Sequence, residues 1–233
     1  MQKIFNFFPL SIYKSSISLT DSEKKTMIDD IYEMEKNSKN IKYKTKTNSW
    51  TGDTQGFEFL HNNLNFDKLF KEIYKDIIEY LDNLGIDHSK LSIFFQRSWA
   101  TISRNGEKIA NHRHSQSHIS FAYYLKKNDK DSKLIFFDEN KNNEIIPNLF
   151  DSPSVAIDGI IKKRGFLNAP IMTFPTEEND LVIFPSKTLH GTEKNMNDGE
   201  RISISADIVL LAKDSKNLEH LSPSIDEWKL FSN

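Results

Sequence analysis

The spacing of apolar residues changes near residue 90, and the change divides the chain. Upstream of it, Met27, Ile28, Ile31 and Met34 recur at helical spacing. Thr20 or Asp21 can cap that helix, with Glu23 and Lys24 in its first turn. A stronger stripe follows: Leu69, Phe70, Ile73, Ile77, Ile78 and Leu81 mark one face of a second helix, and Gly85 stands where it should end. Such a stripe is core contact rather than a membrane or partner surface. Residues 4–19 mix apolar and β-prone types around Pro9 and predict one or two short strands. Residues 37–56 are polar, carry Gly52, Gly56 and Trp50, and read as a loop.

Beyond residue 90, short β-prone runs alternate with Gly, Asn, Asp and Pro. They predict strands at about 91–103, 108–112, 117–126, 133–137, 169–174, 180–184, 188–191 and 201–211. Eight short strands after a helical part point to an α+β, mainly β chain: a double-stranded β-helix, or jelly roll, with N-terminal helices packed outside it. Residues 139–168 interrupt the strands as a loop or lid. No repeat or low-complexity linker appears. One domain over 1–233 is expected, with supporting elements in 1–90, the jelly-roll core in 91–211 and a tail in 212–233.

Composition narrows the field. A chain of 233 residues with 37% hydrophobic content and 17 Phe can bury a sizeable core. Its net charge of −2 is spread in both signs, with no basic stripe for nucleic acid. The Lys-rich patch at Lys42–Lys46 and the cluster Lys162, Lys163 and Arg164 read as solvated faces. The absence of cysteine excludes disulfides and thiolate metal sites. No apolar run reaches the length of a membrane span, and a soluble, cytoplasmic protein is expected. The sequence leaves the oligomeric state open.

Candidate chemistry lies in "ANHRHSQSHIS", residues 110–120. In an extended segment, residues two apart project to one side, so His112 and His114 can reach one ion. His190, after the apolar run "DLVIFP", is a candidate distant partner. These three alone fit a metal site and a polar loop about equally. "RISISADIVL" alternates strictly, with Arg201, Ser203, Ser205 and Asp207 on one face. If that face lines a wet pocket, Arg201 can grip a carboxylate and Ser203 can donate to it. On 117–126, His118, Ser120, Ala122 and Tyr124 share a face; the small residues leave room for a ligand, and the Tyr124 hydroxyl can reach its carboxylate.

Taken together, these segments resemble the iron(II)/2-oxoglutarate-dependent oxygenases, in particular the branch of putative 2OG-Fe(II) oxygenases. The resemblance runs through Trp99, the turn at Asn105-Gly106, His112-x-His114, Tyr123-Tyr124-Leu125, the strand "KLIFFD" ending at Asp138, Phe184-Pro185-Ser186, His190 and Arg201-x-Ser203. It covers most of the chain and is weakest at 37–90 and 139–168. The combined motif is specific; none of its parts is.

The resemblance implies a jelly-roll dioxygenase that uses Fe(II), 2-oxoglutarate and O2. Its metal ligands and catalytic residues would be His112, His114 and His190. Arg201, Ser203 and Tyr124 would bind the far carboxylate of 2-oxoglutarate. His118, Ser120 and Trp99 would meet substrate or support the ligands. The reaction implied is hydroxylation of an amino-acid, peptide or small-metabolite substrate with release of succinate and CO2. His114 stands where the wider superfamily places a carboxylate, so a three-histidine site would also accept Zn(II) or Ni(II). Asp138 is a further candidate ligand. Two other readings share the residues: a cupin-like metalloenzyme without 2-oxoglutarate, and a non-catalytic jelly-roll binding module.

Overall fold

Thr20 opens the first helix, α1 (Asp21–Asn37), with reciprocal bonds: its Oγ1 accepts from Glu23 N (3.3 Å), and Glu23 Oε2 accepts from Thr20 N (2.8 Å). Helix α2 (Asp67–Asn83) buries Leu69, Phe70, Ile73, Ile77 and Leu81 as the stripe predicts; Tyr80 joins them and Ile78 is half-buried. Gly85 follows it at φ +73°, a conformation that favours glycine. The structure is a computed structural model that describes residues 3–38, 49–128, 132–151 and 159–231. The lysines at 42–46 therefore lie outside the described residues.

Among the described residues, nine strands follow in chain order: β1 (Tyr13–Ser16), β2 (Trp50–Thr51), β3 (Leu91–Ser103), β4 (Ile119–Lys126), β5 (Leu134–Phe137), β6 (Ile171–Phe174), β7 (Asp180–Pro185), β8 (His190–Thr192) and β9 (Arg201–Ala212). They form a six-stranded sheet, β1-β7-β4-β9-β3-β2, and a three-stranded sheet, β6-β5-β8, with all neighbours antiparallel. Two facing antiparallel sheets make the expected double-stranded β-helix. Residues 4–19 supply β1, and the segment 37–56, read as a loop, supplies β2.

Alternation decides what each face of the large sheet meets. Ile119, Phe121, Tyr123 and Leu125 of β4 and Ile202, Ile204, Ala206 and Ile208 of β9 pack in one core with α1 and α2. Ala122 and Tyr124 of β4 and Val182 and Phe184 of β7 face the other way, against Leu134 and Phe136 of β5. The helices thus seal the outer face, and the inner face is left for a cavity between the sheets.

Strand β3 crosses from one rule to the other. Its register against β9 shifts between Phe95 and Arg97. Before the shift Ile93 and Phe95 pack toward the helices; after it Ala100 and Ile102 do. A one-residue slip reverses every later side chain, so Arg97, Trp99 and Thr101 turn to the cavity.

One expectation changes and another holds. Residues 108–112 contain no strand; His112 forms a single bridge to His190. The described parts of 139–168 contain no helix or strand and are anchored by the buried Phe150. Arg164 is tied to that loop, donating to the carbonyls of Phe150 (2.9 Å) and Asn168 (2.8 Å). No helix among the described residues is long and apolar enough to cross a membrane.

Candidate metal centre and cavity

His112 and His190 meet through their backbones. His112 N–H donates to His190 O (2.8 Å), and His190 N–H donates to His112 O (3.0 Å). The polar segment before β4 is thus fastened to β8 at the point where both residues carry imidazoles. His114 is held separately, by its N–H to Ser186 O (3.0 Å). One nitrogen from each of the three rings lies within 4.8 Å of the others.

Each ring is oriented from behind. The Nδ1 atom of His112 lies 2.8 Å from Ala110 O, that of His190 2.8 Å from Thr188 O, and that of His114 2.8 Å from Asp207 Oδ1. All three partners only accept hydrogen bonds. Each Nδ1 must therefore carry the proton, which leaves every neutral Nε2 as a bare lone pair. Yet His112 Nε2 and His114 Nε2 are 3.1 Å apart. Two lone pairs at that distance repel unless a cation lies between them. Burial holds His190 neutral, lowering its pKa to about 3, helped by the neighbouring His112. Burial also lowers that of His112, against the bond to Ala110 and the negative charges of Asp53 and Asp207. The donor set therefore fits a divalent transition metal.

Asp207 carries more of this arrangement than its place in an alternating strand suggests. It is fully buried. Besides His114, it accepts from Arg97 Nε (3.1 Å) and Nη2 (2.7 Å), Gln116 Nε2 (2.8 Å) and Ser117 Oγ (3.1 Å). Burial alone would raise its pKa; the bonds from His114 and Arg97 override this and hold it at about 2. A buried carboxylate thus stands one hydrogen bond behind His114. The sequence placed Asp207 on the right face but gave no sign of this partner, because Arg97 reaches it only through the register shift in β3.

A cavity of ≈ 400 Å³ opens beside the histidines, and Arg201, Ser203, Tyr124, Ser120 and Trp99 all line it. Strand register brings them together: Ser203 of β9 pairs with Tyr124 of β4 on one side and Thr101 of β3 on the other. Arg201 is 1% exposed; its Nη1 donates to Ser132 O (3.1 Å) and Oγ (2.7 Å), and its Nη2 to Ser103 Oγ (3.0 Å). These bonds fix a guanidinium in the wall, suited to a carboxylate. Burial raises the pKa of Tyr124 and keeps it a phenol donor, against the nearby Arg201 charge. The ring of Trp99 lies 5.7 Å from that of His114, with the Arg97 guanidinium 5.4 Å from the Trp99 ring.

Two candidates fall elsewhere. His118 is exposed and outside the cavity wall, and its Nδ1 accepts from Leu210 N (3.0 Å). The turn before β4 breaks the parity that put it beside His112 and His114. Ser117 points inward instead. Asp138 caps a turn, its Oδ1 accepting from Asn140 N (3.1 Å) and Lys141 N (3.0 Å), and is not in the cavity wall. Asp53, in the segment 37–56 read as a polar loop, does line the cavity.

Comparison with known proteins agrees with this architecture. Residues 97–207 match the family described as "Putative 2OG-Fe(II) oxygenase". No curated protein sequence matches the chain. Among solved structures, the non-heme alpha ketoglutarate dependent epimerase SnoN from nogalamycin biosynthesis is 12% identical, with TM-score 0.55 over 96% of this chain and 92% of that one. A Pseudomonas putida prolyl-4-hydroxylase is 10% identical, with TM-score 0.54 over 86% and 92%. HygX from Streptomyces hygroscopicus, solved with nickel and 2-oxoglutarate bound, is 8% identical, with TM-score 0.51 over 86% and 83%. At these identities the likeness establishes the fold. Residues 97–207, a little under half of the chain, are thus similar to that family, and the neighbouring structures share its double-stranded β-helix fold.

Proposed function

We propose that the chain is a dioxygenase that couples oxidative decarboxylation of 2-oxoglutarate to hydroxylation of an amino-acid, peptide or small-metabolite substrate. Succinate, CO2 and the hydroxylated substrate account for both atoms of O2. The observation that supports it best is the set of three imidazoles, one nitrogen of each within 4.8 Å of the others, beside a cavity whose wall holds a buried arginine.

His112, His114 and His190 would hold Fe(II). The metal supplies the one-electron and O2 chemistry that side chains lack. Arg201, with Ser203 and Tyr124, would bind and orient the far carboxylate of 2-oxoglutarate. Trp99 stacks near His114 and restricts its tilt. Ala122 and Ser120 keep the wall low enough for two ligands. The three-stranded sheet covers part of the inner face through Leu134 and Phe136, which thins the water there and strengthens the charge–charge contacts inside. We take residues 1–233 as one such domain.

The test is succinate formation from 2-oxoglutarate with Fe(II) and ascorbate. Turnover by the parent protein and loss of at least about a hundredfold in His190→Ala and Arg201→Ala are expected. Parent-like turnover by either variant would show that these residues do not hold the metal and cosubstrate.

A further inference from the structure

The geometry points to a cation-recognition subsite at Asp53, so that the substrate carries an ammonium or guanidinium group. This rests on the oxygenase reading above and adds a substrate class to it.

Asp53 sits in a short 3-10 turn, Gly52–Thr54, directly after β2. The turn is rigidly placed. Gly52 O accepts from both Gln55 N (3.0 Å) and Phe57 N (2.9 Å), and a Cβ at Gly52 would lie 2.9 Å from Phe57 O. Pairing of β2 with β3, Thr51 opposite Thr101, fixes the turn against the cavity. Asp53 lines that cavity together with His112.

Its Oδ1 is shut off from water and has no hydrogen-bond partner among the described residues. Because Oδ1 is shut off, the half-buried carboxylate meets the cavity through its other oxygen, and a fixed carboxylate in a pocket wall favours a ligand that brings a donor. The other charges around the cavity are answered. Asp207, buried behind the wall, is saturated by His114, Arg97, Gln116 and Ser117. Arg113 is paired with Glu139 at 2.5 Å. Arg201 is bonded to Ser132 and Ser103. Among the described residues that line the cavity, Asp53 is the only carboxylate. Ile109 and Ala110 also line the cavity and give an aliphatic stem something to lie on. The site is thus polarised: an arginine in one part of the wall suits an anion, and Asp53 suits a cation. Lysine- or arginine-like side chains and simple alkylamines have that chemistry.

The test is calorimetry on the anaerobic protein loaded with Fe(II) and 2-oxoglutarate. The probes are Nα-acetyl-lysine methylamide and its uncharged counterpart, Nα-acetyl-norleucine methylamide. The parent is expected to bind the lysine compound about tenfold or more tighter, the scale of one charge-assisted hydrogen bond. Asp53→Asn should bring the two affinities together. Asp53→Lys should reverse the preference toward Nα-acetyl-glutamate methylamide, an outcome that a misfolded variant could not give. Equal affinities for the lysine and norleucine compounds in the parent would overturn the inference. The 2-oxoglutarate titration that precedes the probes separates the two claims. If 2-oxoglutarate binds and the probes do not discriminate, the subsite fails and the oxygenase reading stands. If 2-oxoglutarate fails to bind, the oxygenase reading fails; a lysine preference lost in Asp53→Asn would still support the subsite.

Discussion

Asp207 accepts a hydrogen bond from Nδ1 of His114 across 2.8 Å, joining the last strand of the jelly roll to the segment that precedes β4. Three neutral histidines offer a divalent cation no charge. The Asp207 carboxylate, fully buried and one hydrogen bond away, offsets that deficit and fixes the His114 tautomer. Asp207→Asn is expected to lower Fe(II) or Ni(II) affinity by about 10–100-fold. Competition with a chromophoric chelator measures it. Unchanged affinity would reduce Asp207 to a structural anchor for Arg97.

Tyr124→Phe separates cosubstrate from metal. It removes only a hydroxyl from a fully buried ring. The KM for 2-oxoglutarate should rise by about tenfold, the scale of a lost hydrogen bond to a charged group, with metal affinity unchanged. A parallel loss of metal binding would place this hydroxyl in the wrong part of the cavity.

Phe121→Ala tests the opposite face of the same strand. Phe121 is 1% exposed, and its ring lies 6.4 Å from that of Phe70 on α2. Deleting it should cost about 3–5 kcal/mol of stability in urea titrations. Metal affinity at low denaturant should stay within about twofold, because the Phe121 ring packs against Phe70 of α2 and not against the histidines.

Alkaline pH should loosen the N-terminal docking. Tyr13 donates to Asp76 Oδ1 at 2.9 Å; burial, then Asp76, pushes its pKa from 10.0 up to about 12. Burial also pushes up the pKa of Tyr123. The folded protein holds these protons more tightly than the unfolded chain. The Tyr13 contribution is therefore full below pH 10 and is lost as pH rises from 10 through about 12, with that of Tyr123 lost at higher pH still. Urea midpoints of the parent should fall across that window, and Tyr13→Phe should shallow the fall. Identical slopes would contradict the assignment.

The alternation on β4 and β9 made much of this fold legible before any coordinates. Period two along "ISFAYYL" and "RISISADI" separated the helix-facing core from the cavity face, and it put Arg201, Ser203 and Tyr124 on that face. Local pattern also gave both helices, the Thr20 cap and the stop at Gly85. What it could not give was non-local. The register shift in β3 leaves no mark in the sequence, so Arg97 and its bond to Asp207 were invisible. His118 was misplaced because period two was carried through a turn, where it has no meaning. Asp53 went unread because nothing in a polar loop says which side chain folds inward.

The central claim is that three histidines and Arg201 form one site for metal and 2-oxoglutarate. Anaerobic calorimetry of 2-oxoglutarate, with and without Fe(II), tests it most directly. One equivalent should bind the Fe(II)-loaded parent, and binding should weaken at least about a hundredfold when Fe(II) is omitted, in His190→Ala, or in Arg201→Ala. Equal binding with and without Fe(II), or binding that survives in both variants, would contradict the account.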